Sequence, residues 1–257
     1  MEKPRHMSKN ENGICHICGK YGKLSYEHIP PHAAFNNSKR KLSTLDALLK
    51  DETENRTPWN IDGLRYKQFQ NGIGFYTLCE SCNNVIGSKY GGKYSSFINS
   101  IGIEVMKIPK EKRIGALTFR IEPLDLLAIF KQVLAMFCSL NTEQFGISFK
   151  DFLLDENSND FPCDTYKIYM YLHAGKTDRF IPFQSNINTK TGNVTVFSEI
   201  STLPVGFILY RITDTTEFYG CDITSFSHCN YKSEYRMDIP IPFLECNTPF
   251  GLDFRKL

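Results

Sequence analysis

Two Cys-x-x-Cys pairs, Cys15-His16-Ile17-Cys18 and Cys79-Glu80-Ser81-Cys82, constrain this chain more than anything else in it. Two residues between cysteines form a tight turn that brings both thiolates to one ion at about 2.3 Å, so each pair reads as a zinc knuckle. Two knuckles supply four sulfurs, a tetrahedral set with no open position for chemistry. The segment between them must therefore fold back on itself, and any chemistry must lie beside the metal. Glu27, His28 and Asn83 are the candidates there.

Nine cysteines would also suit a disulfide framework, but the count is odd and Met1–His6 is polar, with no apolar leader. Both observations favour a reducing cytoplasm with zinc. No apolar run approaches the roughly 20 residues that span a bilayer, so no membrane partner is expected. With 257 residues and 41 % apolar content, the chain has ample material for a core, in one large domain or two smaller ones.

The net charge of +2 conceals an asymmetry. Residues 1–113 carry 18 Lys and Arg against 11 Asp and Glu; residues 114–257 carry 12 against 17. A basic half suits a polyanion such as nucleic acid, although a soluble surface alone also accounts for it. Lys39, Arg40, Lys41, Arg65, Lys67, Lys89 and Lys93 are the groove-lining candidates. Trp59, Tyr66 and Phe69 offer either base stacking or core packing.

Along the chain, residues 1–13 read as a polar arm. Leu24–Ile29 reads as a short strand stopped by Pro30-Pro31, since neither proline donates to a ladder; the bend there is expected to bring Glu27 and His28, neighbours on opposite faces of a regular strand, to one phosphate. Leu42, Leu45, Leu48 and Leu49 predict an amphipathic helix, followed by a polar loop over 51–58. Residues 72–78 predict a strand into the second knuckle. A helix then opens near Cys82 or Asn83, and Gly87, Gly91 and Gly92 weaken it before Tyr94.

Residues 107–113 read as a linker. Beyond it, 116–122 predicts a strand, and Pro123 opens a helix to about Ser139 that is apolar on most sides and so buried. Four β-branched and aromatic stretches, 166–173, 194–200, 205–212 and 239–244, predict a mostly antiparallel sheet around it. The expectation is an α+β chain: a zinc-stapled ββα domain over 1–106, a linker over 107–113, and an α+β domain over 114–257.

A histidine beside a carboxylate on a zinc-pinned scaffold suits phosphodiester hydrolysis. Neutral imidazole can take a proton from water near pH 7, and a carboxylate can hold a divalent cation. At Cys15/Cys18, Glu27-His28-Ile29-Pro30 and Leu78-Cys79-Glu80-Ser81-Cys82-Asn83, the sequence resembles the zinc-stapled HNH endonucleases, or ββα-metal nucleases. The resemblance covers about residues 14–97.

The resemblance implies that His28 activates water and that Glu27 and Asn83 hold a catalytic Mg²⁺ or Mn²⁺. It also implies that Cys15, Cys18, Cys79 and Cys82 hold a structural Zn²⁺. Nucleic acid would be the substrate, DNA ahead of RNA, cut to leave a 5′-phosphate. A protein partner would belong to the C-terminal domain, and a restriction or anti-phage role is an analogy.

Glu27 stands where the family usually has Asp. The family's loop-bracing Asn would fall on Gly74, leaving Asn71 or the more distant Asn60. Asn84 is the alternative to Asn83. The competing reading is a zinc module that binds nucleic acid or protein without catalysis; a redox role for the cysteine pairs is the weakest. His16 and His32 stand near the site. Cys221, His228 and Cys229 lack metal-ligand spacing, and Cys138, Cys163 and Cys246 read as buried small residues.

Overall fold

The computed structural model describes residues 11–44, 46–47, 63–175, 178–245 and 251. The N-terminal half opens with β1 (Asn12–Ile14) and β2 (Tyr21–His28), so the end of the expected polar arm is a strand. Next come β3 (Arg40–Ser43) and β4 (Tyr66–Phe69), a separate two-stranded antiparallel ribbon. β5 (Gly74–Cys79) returns beside β2, giving a three-stranded antiparallel sheet of order β1-β2-β5.

Leu42, expected on a helix, lies in β3 opposite Lys67. Leu45, Leu48, Leu49, the 51–58 loop, Trp59, Asn60 and Cys246 lie outside the described residues.

α1 (Glu80–Ile86) starts at the second knuckle, with Cys79 as its N-cap. The glycines do not break the helix. Gly87–Gly91 forms a π-helical turn and the chain continues directly into α2 (Gly92–Met106). The wider turn carries Tyr90 inward, where its hydroxyl donates to the Leu153 carbonyl at 2.9 Å.

β6 (Ala116–Leu124) runs through Pro123. α3 (Leu126–Leu140) begins only at Leu126, because Asp125 caps it by accepting from the Ala128 N–H at 2.9 Å. Every residue of α3 from Leu126 to Ser139 is buried, Lys131 and Gln132 included, in keeping with a pattern apolar on most sides. Two short helices follow, α4 (Glu143–Ile147) and α5 (Lys150–Leu154).

The remaining strands are β7 (Tyr166–His173), β8 (Arg179–Ile187), β9 (Val194–Ser201), β10 (Val205–Arg211), β11 (Cys221–Asp222) and β12 (Tyr235–Leu244). They join β6 in a sheet of order β6-β12-β7-β10-β9-β8, with β11 on β7. All its pairings are antiparallel except β12 with β7. The chain is thus a mixed α+β protein with one large sheet and few helices.

The sequence reading missed the short strands β1, β3, β4 and β11 and one long strand, β8. The alternation of β8 is interrupted at Pro182, where the pairing with β9 shifts register. Proline is tolerated there because β8 is an edge strand.

One contiguous core serves both halves. Cys15 and Ile17 at the first knuckle, Tyr94 and Phe97 on α2, Phe130 on α3 and Phe207 on β10 belong to the same buried cluster. The 107–113 stretch therefore joins two parts of one core, through a 3-10 turn at Lys110–Lys112 with the Arg113 Nε donating to the Ile108 carbonyl. No helix among the described residues is long and apolar enough to cross a membrane.

Candidate functional site

The first knuckle is a turn between β1 and β2. Gly19 closes it at φ +72°, a conformation that glycine reaches without strain, and its N–H donates to the Cys15 carbonyl at 2.9 Å. The second knuckle joins the end of β5 to the first turn of α1. All four sulfurs lie within 4.8 Å of one another, and Cys18 and Cys79 are 3.8 Å apart.

Four ligands at about 2.3 Å in a tetrahedron sit about 3.8 Å from each other, so this donor set could hold a metal ion such as zinc. Packed together, the sulfurs also lower the cost of forming thiolate at one of them: the hydrogen bond from Cys82 holds Cys15 down at about 4 and pushes Cys82 up. Among the described residues this is the one such cluster, so Cys221, His228 and Cys229 do not gather into another. Cys138 is buried, and Cys163 partly so.

His16 turns away from the sulfurs. Its Nδ1 lies 2.9 Å from the Cys138 carbonyl near the end of α3, which ties the first knuckle to the C-terminal half.

His28 is the last residue of β2, half-buried, with its Nε2 3.0 Å from the Asn71 carbonyl. A carbonyl only accepts, so Nε2 carries the proton and Nδ1 keeps its lone pair. Burial, aided by the neighbouring His32, lowers the His28 pKa below 6.5, while the bond to Asn71 opposes the shift. The ring is therefore neutral at pH 7. Tyr26 and His32 flank it edge-on, with ring centroids 5.0 and 5.1 Å away.

Glu27 faces the other way, as strand alternation requires of a neighbour. It is 5 % exposed, and its Oε2 accepts a short 2.5 Å hydrogen bond from the Ser139 hydroxyl on α3. Burial raises its pKa to about 8, with Ser139 opposing and Cys15 reinforcing the shift. The bend at Pro30-Pro31 was expected to bring Glu27 and His28 to one phosphate. The bend comes after His28, so it does not reorient Glu27 within the ladder, where Glu27 pairs with Phe75 and His28 with Gly74.

Asn83 lies inside α1 rather than first on it. Its Nδ2 donates to the Ser25 hydroxyl at 3.1 Å and to the Tyr26 carbonyl at 3.2 Å, clamping α1 to β2. Asn84 is exposed.

The residue that braces the histidine's loop is Asn36, which sequence reasoning missed. Its Nδ2 donates to the carbonyls of Pro30 (2.6 Å) and Ile73 (2.7 Å), and its Oδ1 accepts from the Ile73 N–H at 2.8 Å. Asn71 contributes only its backbone carbonyl. The family pattern directs attention to the residues just before the third cysteine, whereas Asn36 precedes β3. Its one sequence signal was an asparagine shortly after Pro-Pro.

The basic candidates divide. Arg40 pairs with Asp178 at 2.9 Å and Lys89 with Glu156 at 2.5 Å, both joining the two halves. Lys39, Lys41, Arg65, Lys67 and Lys93 are exposed. Phe69 packs in the core, and Tyr66 is 48 % exposed. No acidic residue occurs from His28 to Thr44 or from Gly63 to Cys79, so these two stretches are basic in composition.

Compared with known protein families, curated proteins and solved structures, the chain matches none.

Proposed function

We propose that this chain is a zinc-stapled nuclease of the HNH type, hydrolysing phosphodiester bonds in nucleic acid with His28 as the general base. The observation that carries the reading is the histidine itself. It is neutral at pH 7, locked in one tautomer by the Asn71 carbonyl, and carried between two stretches, 28–44 and 63–79, whose charged residues are basic and suit a polyanion. Its Nδ1 would take the proton of the attacking water. Zn²⁺ at Cys15, Cys18, Cys79 and Cys82 would fix the β2–β5–α1 unit that presents the ring.

The resemblance also assigns Mg²⁺ or Mn²⁺ to Glu27 and Asn83. That donor set does not fit a cation in this arrangement: the Glu27 carboxyl is sealed beneath α3 and engaged by Ser139, and burial favours its neutral form. The sealing of Glu27 also favours the second reading, a zinc-pinned module that binds nucleic acid without cutting it.

The deciding experiment is cleavage of plasmid DNA and of RNA with Mg²⁺ or Mn²⁺, wild type beside His28→Ala. The expected loss is about 10²–10⁴-fold, with zinc content and melting temperature unchanged. The wild-type rate should climb with pH along a limb centred below 6.5, because the base must be deprotonated. Equal cleavage by both proteins removes His28 from the mechanism. Absence of cleavage by either, with zinc in place, favours the binding module.

A further inference from the structure

The β3–β4 ribbon has two unlike faces. Direct cross-strand partners share a face, and the register pairs Arg40 with Phe69, Leu42 with Lys67, Lys41 with Gln68, and Ser43 with Tyr66. The inner face is anchored: Phe69 lies in the core, Leu42 packs against it, and Arg40 pairs with Asp178. The outer face carries Lys41, Tyr66 and Gln68, and alternation adds Lys39 and Gln70. All five are exposed, and the Lys41 ammonium sits 4.2 Å above the Tyr66 ring. Two cations, two amides and an aromatic, with no carboxylate among the described residues of this face, make a surface for a polyanion that also displays hydrogen-bonding edges.

We propose that this outer face reads the major groove of a B-form DNA duplex and delivers the backbone to His28. The proposal rests on the nuclease reading for the second half of that statement only. A four-residue ribbon is about 13 Å long and its strands stand about 4.8 Å apart. The B-DNA major groove, about 12 Å wide, admits such a ribbon, whereas the A-form groove of duplex RNA is too narrow. Lysine suits guanine O6 and N7 or phosphate, and glutamine suits the adenine N6/N7 edge.

The ribbon is also rigidly coupled to the catalytic candidate. Its base is closed by the Gly72 N–H donating to the Ser38 carbonyl at 2.9 Å. Asn71, just past β4, supplies the carbonyl that holds His28, and Asn36 ties Ile73 to Pro30 across the same base. A groove seated on the ribbon would thus be fixed in position relative to the imidazole.

The test measures binding by fluorescence anisotropy over a salt series, with the full chain in a His28→Ala background and no added divalent ion. The probes are a mixed-sequence DNA duplex, the RNA duplex of the same sequence, and the single DNA strand. Lys39→Gln/Lys41→Gln is compared with the exposed pair Lys110→Gln/Lys112→Gln as a charge control. The ribbon variant is expected to lose about tenfold in affinity for the DNA duplex and to lower the salt slope by roughly two, with the control unchanged.

Equal losses in both variants, or an unchanged slope in the ribbon variant, would overturn the proposal. So would an RNA duplex or single strand bound as tightly as the DNA duplex. A wild-type protein that binds DNA through the ribbon yet cuts nothing removes the nuclease reading and leaves the groove surface standing.

Discussion

The two faces of β2 respond to the same physical force with opposite consequences. On one face His28 is half-buried, and desolvation lowers its pKa, which keeps the imidazole neutral and ready to accept a proton. On the other face Glu27 is sealed by α3, and desolvation raises its pKa to about 8, which removes the negative charge a cation would need. Burial favours the neutral form of both groups, an open lone pair in one case and an uncharged carboxyl in the other. Which outcome falls on which residue depends on what covers each face: α3 on the Glu27 side, and Tyr26, His32 and the Asn71 carbonyl on the other.

The largest test of this contrast removes the support of both faces together. A structural zinc site contributes on the order of 10 kcal/mol of folding free energy. Stripping the metal with a chelator, or Cys82→Ser, is therefore expected to collapse the knuckles and with them both the His28 and the Glu27 environments. Zinc content and a thermal melt check it; a metal-free protein that melts like the wild type would reduce the cluster to ordinary thiols.

Glu27→Gln separates the faces. The folded state holds the Glu27 proton up to about pH 8, whereas the unfolded chain releases it near 4.5. Glu27 therefore contributes stability that is full below pH 4.5 and is lost as pH rises through 8. Removing the ionisation should raise stability by on the order of a few kcal/mol near pH 8 and change little at pH 5. Melts at the two pH values measure this. A variant equally stable across that range, but unable to cleave, would mean that Glu27 is a charged ligand after all.

Asn36→Ala is a smaller perturbation aimed at the open face. It strands the Pro30 and Ile73 carbonyls and the Ile73 N–H in a buried site, at a cost of about 2–3 kcal/mol. The loop that holds the His28 acceptor should loosen, so cleavage falls alongside stability. Asn71→Ala leaves its backbone carbonyl in place and is expected to stay within about 0.5 kcal/mol of wild type. Denaturant melts and cleavage rates on the two variants identify the brace.

Much of this contrast was legible in the sequence. Cys15, Cys18, Cys79 and Cys82 were readable as one cluster because short-range spacing dictates knuckle geometry. The burial of α3 followed from a pattern apolar on most sides. The position of Pro182 hid β8, since a proline interrupts the alternation by which a strand is recognised. The glycines at 87, 91 and 92 signalled a break, yet packing around Tyr90 held the helix together through a π turn.

Alternation along β2 sets Glu27 and His28 on opposite faces, but whether the Pro30-Pro31 bend reunites them is decided only by where the ladder ends. Only the tertiary structure decided that a helix more than a hundred residues away closes over Glu27 and that Asn36, 37 residues before its partner Ile73, braces the histidine's loop. The physical reason is range. Cysteine spacing, caps and periodicity act through a few bonds of covalent chain, whereas the environment that sets a carboxyl's charge is assembled from whatever distant segments the core brings against it.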